Sequence, residues 1–513
     1  MNRASFLHRD LRAAKTFPQF IRAAAKAYGD AVAISLESDA AAEETATFAE
    51  LDLRSAELAR GLIARGVGKG ARVGFIYGNG PSFAVTFAAI ARIGAIAVPI
   101  STLIKANELV RVLRQSDVMG LIVQRSLLGH DYVERLCEAL PGLRTASGPD
   151  LRLAEAPYLR WILCAEGDLP AGFHDSGYLS DAAPSVSEAL LAAIESEVHP
   201  ADQVMEIYTS GAMALPKGVK HLHGPLMRRT FYIAEMMRLE PGQRRPSPLP
   251  MFWIGGLGFM LLPNWAHGVT TACPERTSTN SRKAMGSVLA EEDLRPAPSD
   301  EVIWSIGMTE TLGPYAYADT LRVPGYPLTS PLEHIADGFE VRVWDGGEVG
   351  DGGQGEIQVR GFAVTPGLHK VEREQVFEPD GFYRTGDLGV RDGTRIHFVG
   401  RSGDMIKTAS ANVSPAEVEM EMQQLEGVHS AYVVGLPDAE RGQIVVAAVV
   451  ARDGVTLDFG DIEAQLRERL SGFKVPRAYV AIGRDEVPML PSNKVARRQL
   501  ERMLEARLGR TTG

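Results

Sequence analysis

The sequence predicts an α/β fold: a large N-terminal domain of mixed and parallel sheets with flanking helices, followed by a small α+β C-terminal domain. Three observations predict it. A helical stretch from Glu50 to Arg65 leads through Gly66-Val-Gly-Lys-Gly70 into the strand-like run Arg72 to Tyr77. A turn at Gly78-Asn-Gly80, a helix from Ser82 and a second strand at Ala95 to Val98 follow. That is a strand-helix-strand unit, the kernel of a parallel sheet. After Gly400 the pattern changes, and short strands (Ala431 to Val434, Ile444 to Val450) alternate with helices. One of those helices carries Ile462, Leu466 and Leu470 at i, i+4 and i+8, a single buried stripe. The remaining stretch of about 110 residues is long enough to hold its own core.

A chain of 513 residues has room for two or three domains. The division expected here is 1–400 and 401–513, with 145–200, rich in Pro, Gly, Ala and Ser, as a loop-bearing connector. The formal charge of -10 and the lack of a basic run argue against nucleic acid or an anionic membrane as the main partner. The N-terminus lacks an apolar core of signal-peptide length, so the chain is expected to be cytoplasmic. Cys137, Cys164 and Cys273 lie far apart without a CxxC pair, which points to small buried residues rather than disulfides or structural zinc. The most apolar run, Phe83 to Ile100, is broken by Arg92, Gly94 and Pro99, and suits a buried helix entering a strand better than a membrane span.

The segment Tyr208-Thr-Ser-Gly-Ala-Met-Ala-Leu-Pro-Lys-Gly218 offers hydroxyls, turn amides and a lysine, the groups that hold an anion such as phosphate. Taken alone it is equally readable as a glycine-containing surface turn. It is not a Walker loop, since Pro216 precedes Lys217. Gly78-x-Gly80 is not a dinucleotide fingerprint either, because Phe83 stands where the third glycine would be.

Five further segments follow in order: Met308-Thr-Glu310, Glu356-Ile-Gln-Val-Arg-Gly361 with Phe382-Tyr-Arg-Thr-Gly-Asp-Leu388, Gly400-Arg-Ser-Gly-Asp-Met-Ile-Lys407, Asn412-Val-Ser-Pro-Ala-Glu-Val-Glu419, and Leu490-Pro-Ser-Asn-Lys494. With the loop at 208–218, this collinear series resembles the adenylate-forming family of acyl-CoA synthetases, luciferases and peptide-synthetase adenylation domains, over roughly residues 15–505. The resemblance implies two half-reactions. A carboxylic acid joins AMP with loss of pyrophosphate, the small mobile C-terminal domain swings, and a thiol then displaces AMP.

Residue by residue, the resemblance implies an ATP- or AMP-binding set of Thr209, Ser210, Gly211, Ala212, Lys217, Gly307, Met308, Thr309, Asp387 and Arg401. Asp387 would accept from the ribose hydroxyls and Arg401 would help hold the sugar. Glu310 would carry Mg2+, a hard cation that prefers oxygen, and Lys494 would neutralise charge at the α-phosphate. Lys407, Ser410, Ala411, Asn412 and Ser414 would line the CoA channel in the thioester step, Gly403 would be the hinge, and Trp253, Gly255 and Gly256 the acyl pocket. His221 and His223 are expected to be polar lining, because a carboxylate already ionised at neutral pH needs no general base.

The departures from the pattern are informative. Ala212, Met213 and Ala214 stand where the family has two hydroxyl residues and a glycine. Two lost hydrogen bonds to charged phosphate, each worth about 1.5–3 kcal/mol, total about 3–6 kcal/mol, or about 10²- to 10⁴-fold in rate. In the family these donors hold the β- and γ-phosphates, so the loss falls on adenylation. Asn493 replaces a glycine before Lys494, Ile306 replaces an adenine-stacking aromatic, Trp253 an acyl-pocket histidine, and the stretch between 254 and 304 is short. Ser410, in place of a glycine, is the one departure against the thioester step.

The expected activity is therefore acyl-adenylate plus CoA giving acyl-CoA and AMP, with a separate ligase supplying the adenylate. In this the chain resembles the non-adenylating ligases of platensimycin-type antibiotic biosynthesis, which implies a bulky diterpenoid acid as substrate. Two alternatives remain: a full ATP-dependent two-step carboxylic acid:CoA ligase, and a non-catalytic acyl- or AMP-binding relative.

Overall fold

The computed structural model describes residues 9–37, 43–127, 129–209, 216–274, 305–318, 331–402, 405–408, 411–413, 415–438, 441–470, 472, 474–490 and 495–509. Two compact units form, interleaved in sequence: residues 1–296, 307–313 and 362–375 make the first, and 297–306, 314–361 and 376–513 the second.

A six-stranded sheet forms the centre of the first unit. Its order is Lys217–Leu222, Gln203–Thr209, Ile96–Pro99, Arg72–Ile76, Gly120–Val123 and Trp161–Cys164. All neighbours pair in parallel except the first two, which form an antiparallel hairpin. The inner strands read Val-Gly-Phe-Ile, Ile-Ala-Val-Pro and Gly-Leu-Ile-Val, continuous apolar runs as expected for strands covered on both faces. The predicted strand-helix-strand unit is present as Arg72–Ile76, helix Pro81–Arg92 and Ile96–Pro99. The helix is buried along nearly its whole length. Its one charge, Arg92, is fully buried and compensated: it donates to Glu195 Oε1 (2.6 Å), Asp52 Oδ1 (2.8 Å) and Ser55 Oγ (2.7 Å).

The stretch 145–200, expected to be a loop-bearing connector, contains helix Glu188–Ser196 and supplies the sixth strand, Trp-Ile-Leu-Cys at 161–164. Gly120 makes room for it. A Cβ there would fall 2.0 Å from Trp161 Cζ2, so the indole lies flat on bare backbone. A second sheet in this unit has the order Arg244–Pro246, Thr270–Pro274, Val32–Glu37 and Glu44–Thr47. Helix Phe48–Ala64, close to the predicted Glu50 to Arg65, starts on a capping box: Thr47 Oγ1 accepts from Glu50 N (3.1 Å) and Glu50 Oε2 from Thr47 N (2.8 Å). Cys137, Cys164 and Cys273 are free and buried.

The second unit contains an antiparallel meander, Phe339–Trp344, Gln354–Gly361, Tyr383–Asp392 and Arg395–Arg401. It also contains a sheet built on the long pair Val428–Asp438 and Gly442–Ala451, whose second strand pairs along its free edge with Ile406–Thr408 at Gly442 and with Ala478–Ala481 at Val446 to Val449, while Ala411–Val413 pairs onward with Ile406–Thr408. Along Gly442–Ala451 the side chains divide with period two. Val445, Ala447 and Val449 join a core with Ile462 and Leu466, whereas Ile444, Val446, Ala448 and Val450 join another with Leu500 and Leu504. The predicted stripe Ile462, Leu466, Leu470 is buried. Among the described residues no helix is long and apolar enough to cross a membrane.

Candidate active site

In the first unit a hairpin brackets the expected phosphate loop. Thr209 pairs with Lys217 across the two strands, so seven residues, the six from Ser210 to Leu215 and then Pro216, form the connection between them. Those six, including Ser210, Gly211, Ala212, Met213 and Ala214, lie outside the described residues. Thr209 is half-buried and Lys217 exposed at the two rims. The glycine that ends Pro-Lys-Gly has a specific reason. A Cβ on Gly218 would meet Glu206 Oε1 at 2.6 Å and the Tyr208 ring and hydroxyl at 2.8 Å. Tyr208 in turn donates to Glu206 Oε1 (2.6 Å), and burial beside that carboxylate raises the phenol far above its ordinary value.

Glu310 sits in the 3-10 turn Thr309–Thr311, reached through strand Ser305–Met308. The turn is tied by Met308 N donating to Thr311 Oγ1 (3.2 Å) and closes on Leu312 in left-handed geometry, φ 53°. Glu310 is 8% exposed, and its carbonyl accepts from Thr365 N (2.7 Å). Thr365 belongs to a strap, residues 362–375, that runs along the hairpin: Thr365 Oγ1 donates to Lys220 O (2.8 Å) and His369 N to Gly218 O (2.7 Å). The strap thus connects the lysine strand to the Glu310 turn.

On the expected acyl side, Trp253 is half-buried and packs edge-on against Phe252, with ring centroids 5.1 Å apart. Gly255 opens a π-helical segment, Gly255–Leu261, a wide turn of the kind often found at functional sites. Gly256 has no alternative residue, because a Cβ would fall 2.2 Å from Pro250 O. Asn79, between the two glycines dismissed as a dinucleotide motif, holds this region: its Nδ2 donates to Leu249 O (2.8 Å) and its Oδ1 accepts from Met251 N (2.8 Å).

His221 and His223 correct an expectation. They are not polar lining: both are buried, and His223 Nδ1 accepts from Phe17 N (3.1 Å), a packing role. Burial pushes each imidazole down to about 3, so neither carries charge at neutral pH.

In the second unit, Asp387 and Arg401 face each other across adjacent strands, and Arg401 Nε donates to Asp387 Oδ1 (2.9 Å). Residues 14 apart in sequence and singled out separately for one sugar are thus an ion pair. Asp387 N donates to Thr385 Oγ1 (3.0 Å), and Gly386, at φ 72°, donates to Glu356 Oε1 (2.8 Å). Each residue of the Arg-Thr-Gly-Asp run after Arg384, within strand Tyr383–Asp392, therefore shapes the presentation of the Asp387 carboxylate. Tyr315, fully buried, has its phenol raised well above its ordinary value by burial, with Asp387 adding to the effect.

In the segment expected to serve the thioester step, Lys407 pairs with Asn412 and Thr408 with Ala411 in the backbone ladder. Ser410, Ser414, Gly403 and Lys494 lie outside the described residues. Among the described residues no group of three or more His, Cys, Asp or Glu side chains is placed to hold a metal.

Residues 21–295 match the AMP-binding enzyme family, and residues 417–494 match the AMP-binding enzyme C-terminal domain. The chain belongs to the AMP-binding enzyme family. A putative acyl-CoA synthetase, YngI of Bacillus subtilis (strain 168), is 27% identical over 507 residues, covering 88% of this chain and 91% of that protein. A feruloyl-CoA synthase of Amycolatopsis sp is 28% identical over 499 residues, covering 89% and 93%. Among solved structures, the anthranilate CoA ligase AuaEII in complex with anthranoyl-AMP superposes with a TM-score of 0.77 at 19% identity, over 99% of each chain. ATP-bound MatB from Rhodopseudomonas palustris does so at 0.75 and 23%, over 94% of this chain and 99% of the other. These two share the fold. As a member of this AMP-binding enzyme family of acid–thiol ligases, the chain is an enzyme.

Proposed function

We propose that this AMP-binding enzyme is an acyl-CoA ligase that works mainly in the second half-reaction. The CoA sulfur attacks the acyl carbonyl of an acyl-adenylate, the bond to the phosphate oxygen breaks, and AMP leaves. The observation that carries this reading is Ala212-Met213-Ala214 in the connection between Thr209 and Lys217, where donors to the outer phosphates of ATP are missing. The Asp387–Arg401 pair, needed for the ribose in both half-reactions, is intact and presented from two adjacent strands.

In this reading Asp387 accepts from the ribose diol while Arg401 holds its carboxylate in place. Thr209, Gly307, Met308, Thr309 and Lys217 flank the phosphate. Glu310 would hold Mg2+ if adenylation is retained: a single protein carboxylate suits a cation that keeps waters and takes its other ligands from phosphate. When bound, Mg2+ supplies charge neutralisation at the phosphates. Lys494 stabilises the α-phosphate during adenylation, Lys407 and 410–414 line the thiol channel, and Trp253, Gly255 and Gly256 bound the acyl pocket. Residues 401–513 form the mobile domain, hinged at Gly403, of an enzyme acting in the cytoplasm. The acid is bulky, and a diterpenoid acid delivered as its adenylate by a separate ligase fits the short stretch between 254 and 304.

The names of the relatives favour a second reading, a full ATP-dependent two-step ligase. Offering acid, ATP and CoA in one vessel and preformed acyl-adenylate with CoA in another separates the two. CoA ester only in the second supports the half-reaction reading, and equal yield in both favours the complete ligase.

A further inference from the structure

Beneath the base of the phosphate hairpin the strap 362–375 meets a cluster of charged side chains drawn from four elements. His369 Nε2 lies 3.2 Å from Asp117 Oδ2, at the end of helix Ala106–Ser116. His369 Nδ1 lies 3.2 Å from Arg72 Nη2 and 3.6 Å from Glu206 Oε2. Arg72 Nε also donates to Glu206 Oε2 (3.3 Å), and Lys370 Nζ donates to Asp117 Oδ1 (2.6 Å) and Arg114 O (3.2 Å). Glu206 is fully buried and His369 is 8% exposed.

The donors and acceptors permit one assignment. A guanidinium only donates, so Nδ1 facing Arg72 is the acceptor, and Nε2 facing a carboxylate carries the hydrogen. With that neutral ring, the charges of Arg72 and Lys370 balance those of Asp117 and Glu206. A second proton would leave one uncompensated positive charge in a partly buried cluster and aim an N–H at the guanidinium. Burial lowers the imidazole pKa and Arg72 lowers it further, while Glu206 and the hydrogen-bonded Asp117 oppose this, and the balance leaves it below its ordinary value.

The ring's backbone is where this matters. His369 N donates to Gly218 O, directly after Lys217; Leu368 bridges Val219; and Thr365 at the other end of the strap grips both Lys220 O and Glu310 O. The two residues that clamp the strap, Lys370 (φ 56°) and Asp117 (φ 52°), are both non-glycine residues in left-handed geometry, a conformation kept only where the surroundings demand it. We propose that His369, as a neutral Nε2–H imidazole, is a positioning residue that locks the strap in register on the phosphate hairpin and so fixes the Glu310 turn relative to the Lys217 strand.

Its value to catalysis rests on the function proposed above; the lock itself does not. Two variants test it. His369→Gln keeps a carbonyl acceptor for Arg72 and an amide donor for Asp117, whereas His369→Ala keeps neither. Nitrogen-15 NMR of the wild-type ring is expected to show the Nε2–H tautomer at pH 7 with no titration near pH 6.5. Amide hydrogen exchange at His369 and in 216–222 is expected to quicken about tenfold or more in His369→Ala and to return close to wild type in His369→Gln. Residual ATP-driven CoA-ester formation is expected to show a KM for ATP raised in His369→Ala with KM for CoA unchanged. An Nδ1–H or charged ring at pH 7, or exchange that is the same in all three proteins, overturns the proposal. A wild type that makes thioester from neither input refutes the functional reading, while NMR and exchange still decide the role of His369.

Discussion

Replacing Asp387 with alanine tests the nucleotide half of the site. The carboxylate is 7% exposed and accepts a hydrogen bond from Arg401, whose side chain is 54% exposed. Losing that pair costs the fold little, about 0–1 kcal/mol, because water can solvate the released guanidinium. A ribose diol would lose two hydrogen bonds to a charged acceptor, each worth about 1.5–3 kcal/mol. The sum, about 3–6 kcal/mol, corresponds to about 10²- to 10⁴-fold weaker binding. Calorimetric titration of AMP and of a non-hydrolysable acyl-adenylate into both proteins reads the loss directly, with thermal melting as the control for folding. Binding within threefold of wild type, in a variant that melts normally, would refute the ribose role.

Other outcomes follow from the proposed function and from the fold. Restoring Ala212→Ser, Met213→Thr and Ala214→Gly together is expected to raise ATP-dependent acyl-adenylate formation by about 10²-fold or more, leaving thioester formation from preformed adenylate unchanged; a silent triple variant moves the cause to residues 254–304. Gly218→Ala forces a Cβ into the Tyr208–Glu206 pair and is expected to lower stability by about 1–3 kcal/mol in urea unfolding, with an unchanged midpoint contradicting the close approach. His221 and His223 are held near 3 when folded and near 6.5 when unfolded. Between those values the unfolded chain binds more protons, so their stabilisation is present above pH 6.5 and lost as pH falls toward 3, by up to about 1.4 kcal/mol per pH unit for each histidine. His221→Leu should flatten that slope between pH 6 and 5, and an identical slope would show that the ring is charged or exposed.

How much was legible in the sequence depended on whether a feature is local. The strand-helix-strand unit at 72–99 and the stripe on helix Phe459–Arg469 were legible because apolar period and turn residues lie within one short window. The motif series was legible because collinear order carries information that each short motif lacks. Strand Trp161–Cys164 was missed: four apolar residues in a Gly- and Pro-rich stretch give no period, and only Gly120, some 40 residues earlier, shows where the indole fits. Asp387 and Arg401 were each singled out, but their pairing required the register of two strands. Glu206 and His369 were invisible as partners, because 163 positions separate residues that meet only after the sheet and strap are built. The π-helical turn at Gly255–Leu261 left no composition signal beyond its glycines.

The central claim, that the phosphate loop no longer supports adenylation while the rest of the site supports thioester formation, is tested most directly by ATP–pyrophosphate exchange on wild-type protein. The acid used is one whose preformed adenylate the enzyme converts to a CoA ester. The account predicts exchange at least about 10²-fold slower than that conversion. Exchange as fast as the conversion would contradict it.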